Sequence, residues 1–214
     1  MELGRPWCLE NRTAVILRAA RELFGRYGFE KTTIDDIARE AGIGKGSVYL
    51  EFGTKQEILM AVIRTFVTEV RGHIEDYMES CEPPYLDALE GLLLMHVLNV
   101  HERATSQIHT PDTLLHTSIR VRQEFKDHFD FLSSRFTAML KKAAKNGEIK
   151  KSTDFEAVTD TLILGMGSLC PPYLRNTRPT GSGIPGRDQL EAEAEALISL
   201  LVAGIKQKYG KGRD

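Results

Sequence analysis

The 214-residue chain is 42% hydrophobic and 27% charged, with a formal net charge of −2, which is the composition of an ordinary globular protein. No apolar run approaches the ~18 residues that a membrane-spanning helix needs, and the first residues carry no apolar core of a signal peptide. We therefore expect a cytoplasmic protein with no membrane partner. The three cysteines, Cys8, Cys81 and Cys170, lie far apart and form no CxxC pair, which argues against a disulfide framework or a zinc site.

The first predicted helix covers residues 13–27. Its apolar residues recur at three- and four-residue steps, and this spacing marks one buried face: Ile16, Ala20, Leu23, Phe24 and Tyr27. Gly28 then lies just past the helix end, where a positive φ is needed. A second helix is predicted to begin after Thr33, which supplies a hydroxyl cap, with Asp35 and Asp36 in the first turn.

A helix-turn-helix is predicted from the glycines that follow. Gly42 ends the helix over residues 34–41 by taking a conformation that residues with a β-carbon avoid. A second short helix, over residues 45–52, buries Val48, and two short helices joined by a tight turn form this motif. Gly46 is predicted to face outward in the first turn of that helix. The missing side chain would let the helix approach a DNA backbone closely.

The segment RAARELFGRYGFEKTTIDDIAREAGIGKGSVYLEFGTKQEIL resembles the N-terminal DNA-binding domain of TetR-family transcriptional regulators. The resemblance covers about residues 10–70, with the motif at 33–52, and many positions match at fixed spacing. It implies a DNA-binding domain followed by a divergent, all-helical domain that dimerises and binds a small effector. Most members of this family are repressors, so the resemblance implies a repressor as well.

The resemblance also implies DNA contacts at six positions. Thr33 would meet a phosphate at the start of the second helix, the ring of Tyr49 would pack on the sugar-phosphate backbone, and Lys55 would hold another phosphate. The first residues of the recognition helix complete the set, which is Thr33, Lys45, Gly46, Ser47, Tyr49 and Lys55.

Two departures from the family pattern bear on the operator sequence. Gly44 stands where a serine or threonine cap is usual, and glycine is an acceptable substitute there. Leu50 and Glu51 replace a common aromatic or histidine pair. Leu50 could touch a thymine methyl group, and Glu51 either accepts a hydrogen bond from a cytosine amine or stays out of the groove.

The charge balance of the first 66 residues adds little support for DNA binding. These residues hold 10 Lys and Arg against 9 Asp and Glu, a net of +1, whereas a strongly basic domain would indicate DNA by itself. Phosphate contacts must therefore come from the local placement of cations such as Lys45, Lys55 and Arg12.

Breaks in the pattern divide the remaining chain into further helices. A capping box from Thr54 to Glu57 begins a long helix that ends near Ser80, and the prolines of residues 82–84 mark the domain boundary. The later helices are predicted at 87–103, 113–118, 121–146, 154–169 and 189–209. The whole chain is thus expected to be all-α with about nine helices and a C-terminal ligand-binding and dimerisation domain at 81–209.

The last two helices carry apolar stripes that suit a dimer interface. In the TetR family this helix pair meets its twin as a four-helix bundle, and a two-fold dimer suits a palindromic DNA site. The interface residues expected on this basis are Phe155, Leu162, Met166, Leu197 and Leu201. The alternative is that both stripes serve only the core of a single protomer.

Four histidines in the C-terminal domain raise the possibility of a metal site. His96, His101, His109 and His116 are spaced by five, eight and seven residues, and this spacing does not place neighbouring pairs on one helical face. We therefore expect no metal and no cofactor. The candidates for a ligand pocket are instead His96, His101 and His116 together with Phe125 and Phe129, although the two aromatic residues are also typical of a core.

No nucleophile and base are spaced as in a known catalytic set, so we expect no enzymatic activity. Two classes of function remain. The first is a homodimeric regulator whose partners are double-stranded operator DNA and an unidentified small-molecule effector. The second is a helical binding or enzyme domain in which the helix-turn-helix is vestigial. The presence of both Lys45 and Tyr49 favours the first.

Overall fold

The computed structural model describes residues 11–107, 111–171, 173 and 184–210, with the backbone alone for 107 and 111–116. Every regular element in these ranges is a helix, which confirms the all-α class with about nine helices. The helices are α1 Arg12–Tyr27, α2 Ile34–Glu40, α3 Lys45–Glu51, α4 Lys55–Ser80, α5 Tyr85–Gln107, α6 Pro111–Glu124, α7 Lys126–Lys145, α8 Phe155–Met166 and α9 Arg187–Tyr209.

The chain divides into two compact units, and the division falls between Val67 and Thr68 inside α4. The first unit contains α1–α3 and the first half of α4. The second unit contains the rest of α4, α5 as far as Thr105, and α6–α9. The predicted domains are 10–70 and 81–209, whereas residues 68–80 lie in the second unit and Ser106 and Gln107 lie in the first.

One buried apolar cluster holds the first unit together. All four helices of the unit contribute to it, and Ala38 supplies a small side chain where α2 lies close to α3. Ile43 and Phe52 are partly buried against the same cluster. Its members are Ile16, Ala19, Ala20, Leu23, Phe24, Ile37, Ala38, Val48, Ile58, Leu59 and Val62.

The turns of the first unit follow the sequence predictions. Gly28 and Gly42 have φ values of +81° and +67°, a region where residues with a β-carbon are strained. The hydroxyl of Thr33 accepts from the backbone N–H of Asp36 at 3.1 Å, and the Asp36 carboxylate accepts from the N–H of Thr33 at 3.0 Å. This reciprocal box satisfies two donors at the start of α2.

Two details of the first unit differ from the predictions. Tyr27 was expected on the buried face, but it is the last residue of α1 and its side chain is 51% exposed. The Thr54 hydroxyl accepts from the N–H of Glu57 at 3.1 Å as predicted, whereas the Glu57 carboxylate accepts from Gly53 at 2.9 Å. The box therefore closes one residue earlier than the pattern indicates.

The second unit is a stack of helices in which α6 packs on α7, α7 on α8 and α8 on α9. The backbone of Ile149 pairs with that of Gly210 in an isolated bridge, which ties the segment after α7 to the end of α9. The Glu148 carboxylate accepts from the backbone N–H groups of Tyr85 and Leu86 at 2.7 and 2.8 Å. It thereby caps the start of α5 from the far end of α7.

The predicted helix over 121–146 is wrong at its beginning. Phe125 has φ −116° and ψ 37°, outside the helical region, so α6 ends at Glu124 and α7 begins at Lys126. The Phe125 side chain is only 1% exposed. No proline or glycine marks this break, and the burial of the ring is the feature that accompanies it. At the other end Gly147 has φ +86°, as expected after a helix.

Candidate nucleic-acid interface

The outward face of α3 is the candidate interface of the first unit. Lys45, Gly46, Tyr49 and Leu50 are exposed, whereas Val48 is completely buried. Residues four apart lie on the same side of a helix, so the exposed positions form two adjacent rows, Lys45 with Tyr49 and Gly46 with Leu50. A β-carbon added to Gly46 would meet nothing within 4 Å. The packing of the first unit therefore does not require a glycine at this position.

Lys45 is held at the surface by an acidic neighbour on α2. Its ammonium donates to the Asp35 carboxylate at 3.0 Å, and both side chains are more than half exposed. The hydrogen bond to Asp35 and the charge of that carboxylate raise the pKa of Lys45. An exposed ion pair of this kind is weak, so it does not hold the ammonium firmly in one place.

Thr33 and Ser47 lie at the beginnings of the two helices of the motif. The Thr33 hydroxyl donates to the Asp36 carboxylate at 2.6 Å while it caps α2. This bond lowers the pKa of Asp36. Ser47 is half-buried, and its backbone N–H donates to Gly44 at 2.9 Å. Gly44 is the N-terminal cap residue of α3, as expected, and contributes no side-chain bond.

Lys55 has a set of acceptors inside the protein. Its ammonium donates to the carbonyls of Phe29, Glu30 and Thr32 at 2.6, 3.3 and 2.9 Å. It also lies 4.3 Å from the centre of the Phe29 ring, a distance typical of a cation–π contact. Partial burial lowers the pKa of Lys55. The side chain therefore ties the start of α4 to the loop between α1 and α2.

Sequence reasoning missed the partner of Glu51. The hydroxyl of Thr13, in the first turn of α1, donates to the Glu51 carboxylate at 2.9 Å. This bond joins the end of α3 to α1 across 38 residues of sequence, so no local pattern could reveal it. The Glu51 carboxylate thus has a hydrogen-bond partner within the first unit.

The ligand-pocket candidates of the second unit separate into different environments. His96 and His101 lie on α5 and are buried, at 7% and 5% exposure. The His101 ring bonds through Nδ1 to the hydroxyl of Tyr173 at 2.7 Å. The side chain of His116 and the whole of His109 lie outside the described residues. The described residues contain no group of three or more side chains that could hold a metal ion.

His128, which the sequence analysis overlooked, is the actual neighbour of His96. The two ring centres are 6.4 Å apart, and His96 also meets the edge of Phe136 at 6.4 Å. Burial lowers the pKa of both imidazoles to about 4. The four-residue spacing of His128, Leu132 and Phe136 falls on one face of α7, which could have indicated that His128 is buried.

The neighbours of His128 complete this cluster. Arg71 donates to its Nδ1 at 3.4 Å and pairs with Asp127 at 2.9 Å. The hydrogen bond from Arg71 lowers the pKa of the Asp127 carboxyl. Phe129, a pocket candidate, is half-buried and meets the His128 ring at 5.9 Å. Phe125 is fully buried in the break between α6 and α7.

Two of the five predicted dimer residues are buried within the protomer, and the other three are half-buried. Leu162 and Met166 are 1% and 4% exposed, so they pack within the second unit. Phe155, Leu197 and Leu201 are half-buried. A β-carbon on Gly165 would lie 2.9 Å from Leu201, so the small residue permits close packing of α8 on α9 inside one protomer.

Two other leucines are the exposed large apolar residues of this helix pair. Leu164 on α8 is 81% exposed and Leu200 on α9 is 72% exposed. Between the helices lies a groove of about 260 Å³, whose lining includes Thr161, Leu200 and Gly204.

Among the described residues, no helix is both long enough and apolar enough to cross a membrane.

Comparison with known proteins finds a matching family model and similar curated proteins. The family model described as bacterial regulatory proteins, tetR family, matches residues 16–62. The uncharacterised HTH-type transcriptional regulator YfiR of Bacillus subtilis is 31% identical over 147 residues, which cover 66% of this chain and 69% of the relative. The family match falls on the unit that contains the helix-turn-helix.

Solved structures extend the likeness to most of the chain. A transcriptional regulator from Cytophaga hutchinsonii superimposes with a TM-score of 0.74 at 18% identity, covering 92% of this chain and 100% of the other. FadR from Bacillus subtilis, solved in complex with stearoyl-CoA, has a TM-score of 0.59 at 21% identity and covers 90% and 98%. At these identities the comparison shows that the fold is shared.

Proposed function

The chain belongs to the TetR family of transcriptional regulators, and we propose that it acts in the cytoplasm as a homodimeric repressor, released from a palindromic operator by a small molecule. As a member of that family it is a DNA-binding transcriptional regulator. The observation that carries the proposal is the outward face of α3, where Lys45, Gly46, Tyr49 and Leu50 lie exposed above the buried Val48.

The proposed DNA contacts follow from what each side chain can reach. Lys45 exchanges the carboxylate of Asp35 for a phosphate, and the half-exposed ring of Tyr49 lies against the sugar-phosphate backbone. Gly46 allows the helix to approach the groove, and Ser47 and Thr33 offer hydroxyl groups beside it. Phosphate contacts of this kind fix the position of the protein on the duplex without reading its sequence.

We give Lys55 a different role from the one that the family resemblance implied. Its three carbonyl acceptors all belong to the loop between α1 and α2. A phosphate contact would require the ammonium to leave these acceptors. Lys55 therefore positions the helix-turn-helix by bracing this loop, and its effect on DNA affinity is indirect.

A random-sequence pool tests DNA binding directly. The purified full-length protein is incubated with random duplex DNA, and the bound fraction is amplified and sequenced through several rounds. We expect an enriched palindrome whose half-sites are spaced by about 34 Å or a multiple, because a two-fold dimer engages successive major grooves. Enrichment of no sequence would instead support the alternative, a helical domain with a vestigial helix-turn-helix.

The dimer is proposed to form through the outer face of α8 and α9. Leu164 and Leu200 are the large apolar side chains exposed on these helices, and Leu200 lines a groove together with the small residue Gly204. Small residues let helices approach closely, and a two-fold axis places each exposed leucine against the same surface of a second copy. The stripe of Leu162 remains in the core of each protomer.

Two matched substitutions separate this interface from the core. Leu200→Glu places a charge on the exposed face. We expect this variant to be a folded monomer, because formation of the dimer would bury one unpaired carboxylate from each protomer. Leu162→Glu places the same charge in the core, and we expect loss of folding. Sedimentation velocity gives the mass, and circular dichroism gives the helix content. A folded Leu200→Glu dimer would place the interface elsewhere.

Effector control is proposed to use α4, because this helix contributes residues to both compact units. An effector that prefers the arrangement unfit for the operator by about 1–3 kcal/mol would weaken DNA binding about 5- to 150-fold. The shared fold of FadR, which was solved with stearoyl-CoA, makes long-chain acyl-CoA thioesters the first compounds to test.

The coupling has a thermodynamic signature that is independent of the effector's identity. If a compound weakens operator binding by a given factor, saturating operator must weaken the binding of the compound by the same factor. Calorimetric titrations with and without operator measure this. Equal affinities in the two titrations would exclude effector control by that compound, while leaving DNA binding intact.

A further inference from the structure

Leu50 is the most exposed large apolar residue of the described part of the first unit. Its side chain is 80% exposed, although the other apolar residues of α3 and its end, Val48 and Phe52, turn toward the core. A single exposed leucine on a protein surface is ordinary. On this helix it occupies the face that carries Lys45 and Tyr49, the residues proposed to meet DNA.

The surroundings of Leu50 leave its side chain open to an approaching surface. Gly46 lies one turn earlier in the same row and has no side chain to cover it, and a β-carbon at Gly46 would point into open space. The next residue, Glu51, is turned away because its carboxylate accepts from Thr13. The row of Gly46 and Leu50 is therefore an uncovered strip that ends in an apolar group.

The chemistry of DNA restricts what such a group can recognise. A leucine offers no hydrogen bond to a phosphate or to a polar base edge. The major groove, which admits an α-helix, presents one prominent apolar group, the C5-methyl of thymine. Contact with that methyl would bury apolar surface of both partners, which is favourable in proportion to the area removed from water.

We infer that Leu50 is a specificity-determining residue that reads the C5-methyl group of a thymine in each operator half-site. The inference rests on the proposed function, since it assumes that α3 lies in the major groove. It adds a feature of the operator: one thymine per half-site is recognised through its methyl group.

Deoxyuridine substitution tests the methyl group alone. The palindrome enriched from the random pool is synthesised with each thymine replaced in turn by deoxyuridine, which keeps the base pair and removes the methyl group. We expect one symmetric pair of positions at which affinity falls by about fourfold per half-site, equivalent to ~0.8 kcal/mol for one buried methyl group. Replacement in both half-sites should lower affinity roughly 16-fold.

Two variants assign the effect to Leu50. Leu50→Ala should bind more weakly and lose the deoxyuridine effect at that position, whereas Leu50→Met keeps an apolar side chain and should retain it. Because Leu50 is exposed, both variants should unfold at the same temperature as the parent protein. Deoxyuridine effects at other thymines should be the same in all three proteins.

The outcomes separate the inference from the function on which it rests. If no sequence is enriched, the proposed function fails. If a palindrome is enriched and no thymine shows a methyl effect that disappears in Leu50→Ala, the inference is overturned while the regulator remains. A methyl effect that persists unchanged in Leu50→Ala also overturns it, because another residue would then read the methyl group.

Discussion

The contrast between Lys55 and Lys45 is the sharpest test of how the helix-turn-helix is built. The perturbation is Lys55→Met, which keeps most of the aliphatic stem and removes the ammonium. The carbonyls of Phe29, Glu30 and Thr32 then lose a donor at 2.6, 3.3 and 2.9 Å. The contact with the Phe29 ring loses its charge.

The size of the effect follows from these contacts. Hydrogen bonds to a charged group contribute roughly 1.5–3 kcal/mol net, and solvent can replace part of the loss where the carbonyls are accessible. Partial burial already disfavours the charged ammonium, as the lowered pKa of Lys55 shows, and this offsets some of the gain. We expect the free energy of unfolding to fall by about 2 kcal/mol, or a urea midpoint lower by about 1 M.

Two assays distinguish a structural lysine from a DNA-binding one. Urea denaturation followed by circular dichroism measures stability, and fluorescence anisotropy with the enriched operator at several salt concentrations measures the salt slope. Lys55→Met should lose stability and keep the parent slope. Lys45→Ala should keep its stability, and the slope should fall by about 0.9 for each phosphate that the variant no longer neutralises, one in each half-site.

The control is Lys31→Met, which removes an exposed lysine from the same loop that Lys55 braces. It should match the parent protein in the denaturation assay. The reasoning fails if Lys55→Met is as stable as the parent and its salt slope falls by about one per half-site. That result would return Lys55 to the DNA interface.

Three further outcomes are expected. The pKa values of His96 and His128 are lowered to about 4, so between pH 6.5 and 4 the unfolded state binds more protons than the folded state. The free energy of unfolding should therefore decrease as the pH is lowered through this window, by on the order of 3 kcal/mol per imidazole. His96→Leu should flatten the fall in the urea midpoint, and an unchanged fall would contradict this. Gly46→Ala should raise the melting temperature slightly, because alanine favours a helix by up to about 1 kcal/mol, while it weakens operator binding in anisotropy titrations; undiminished binding would show that the groove tolerates a β-carbon there. Glu148→Ala removes the cap of α5 and should lower the urea midpoint by the equivalent of about 1–3 kcal/mol, whereas no change would mean that water replaces the carboxylate.

The sequence by itself determined the local architecture of the first unit. Gly28 and Gly42 identified two helix ends because a positive φ is nearly restricted to glycine. Thr33 and Asp36 identified the start of α2 because their cap closes within three residues. The outward position of Gly46 was predicted from its place in the first turn of the second helix. Each of these features depends on neighbours along the chain, which is why one sequence was sufficient to predict it.

Features that depend on distant neighbours were decided by the tertiary structure. The acceptors of Lys55 lie 23–26 residues away, and the partner of Glu51 lies 38 residues away, so neither could be read from spacing. The break between α6 and α7 at Phe125 contains no proline or glycine from which it could be predicted.

The apolar stripes of α8 and α9 show the same limit. The periodicity of apolar residues indicates that a helix has a buried face, but it does not predict whether that face packs against the same protomer or against a second copy. Gly165 lies close to Leu201, Leu162 is buried within the protomer, and Leu164 and Leu200 are exposed. Burial depends on how complete helices pack in three dimensions, and only the tertiary structure contains that information.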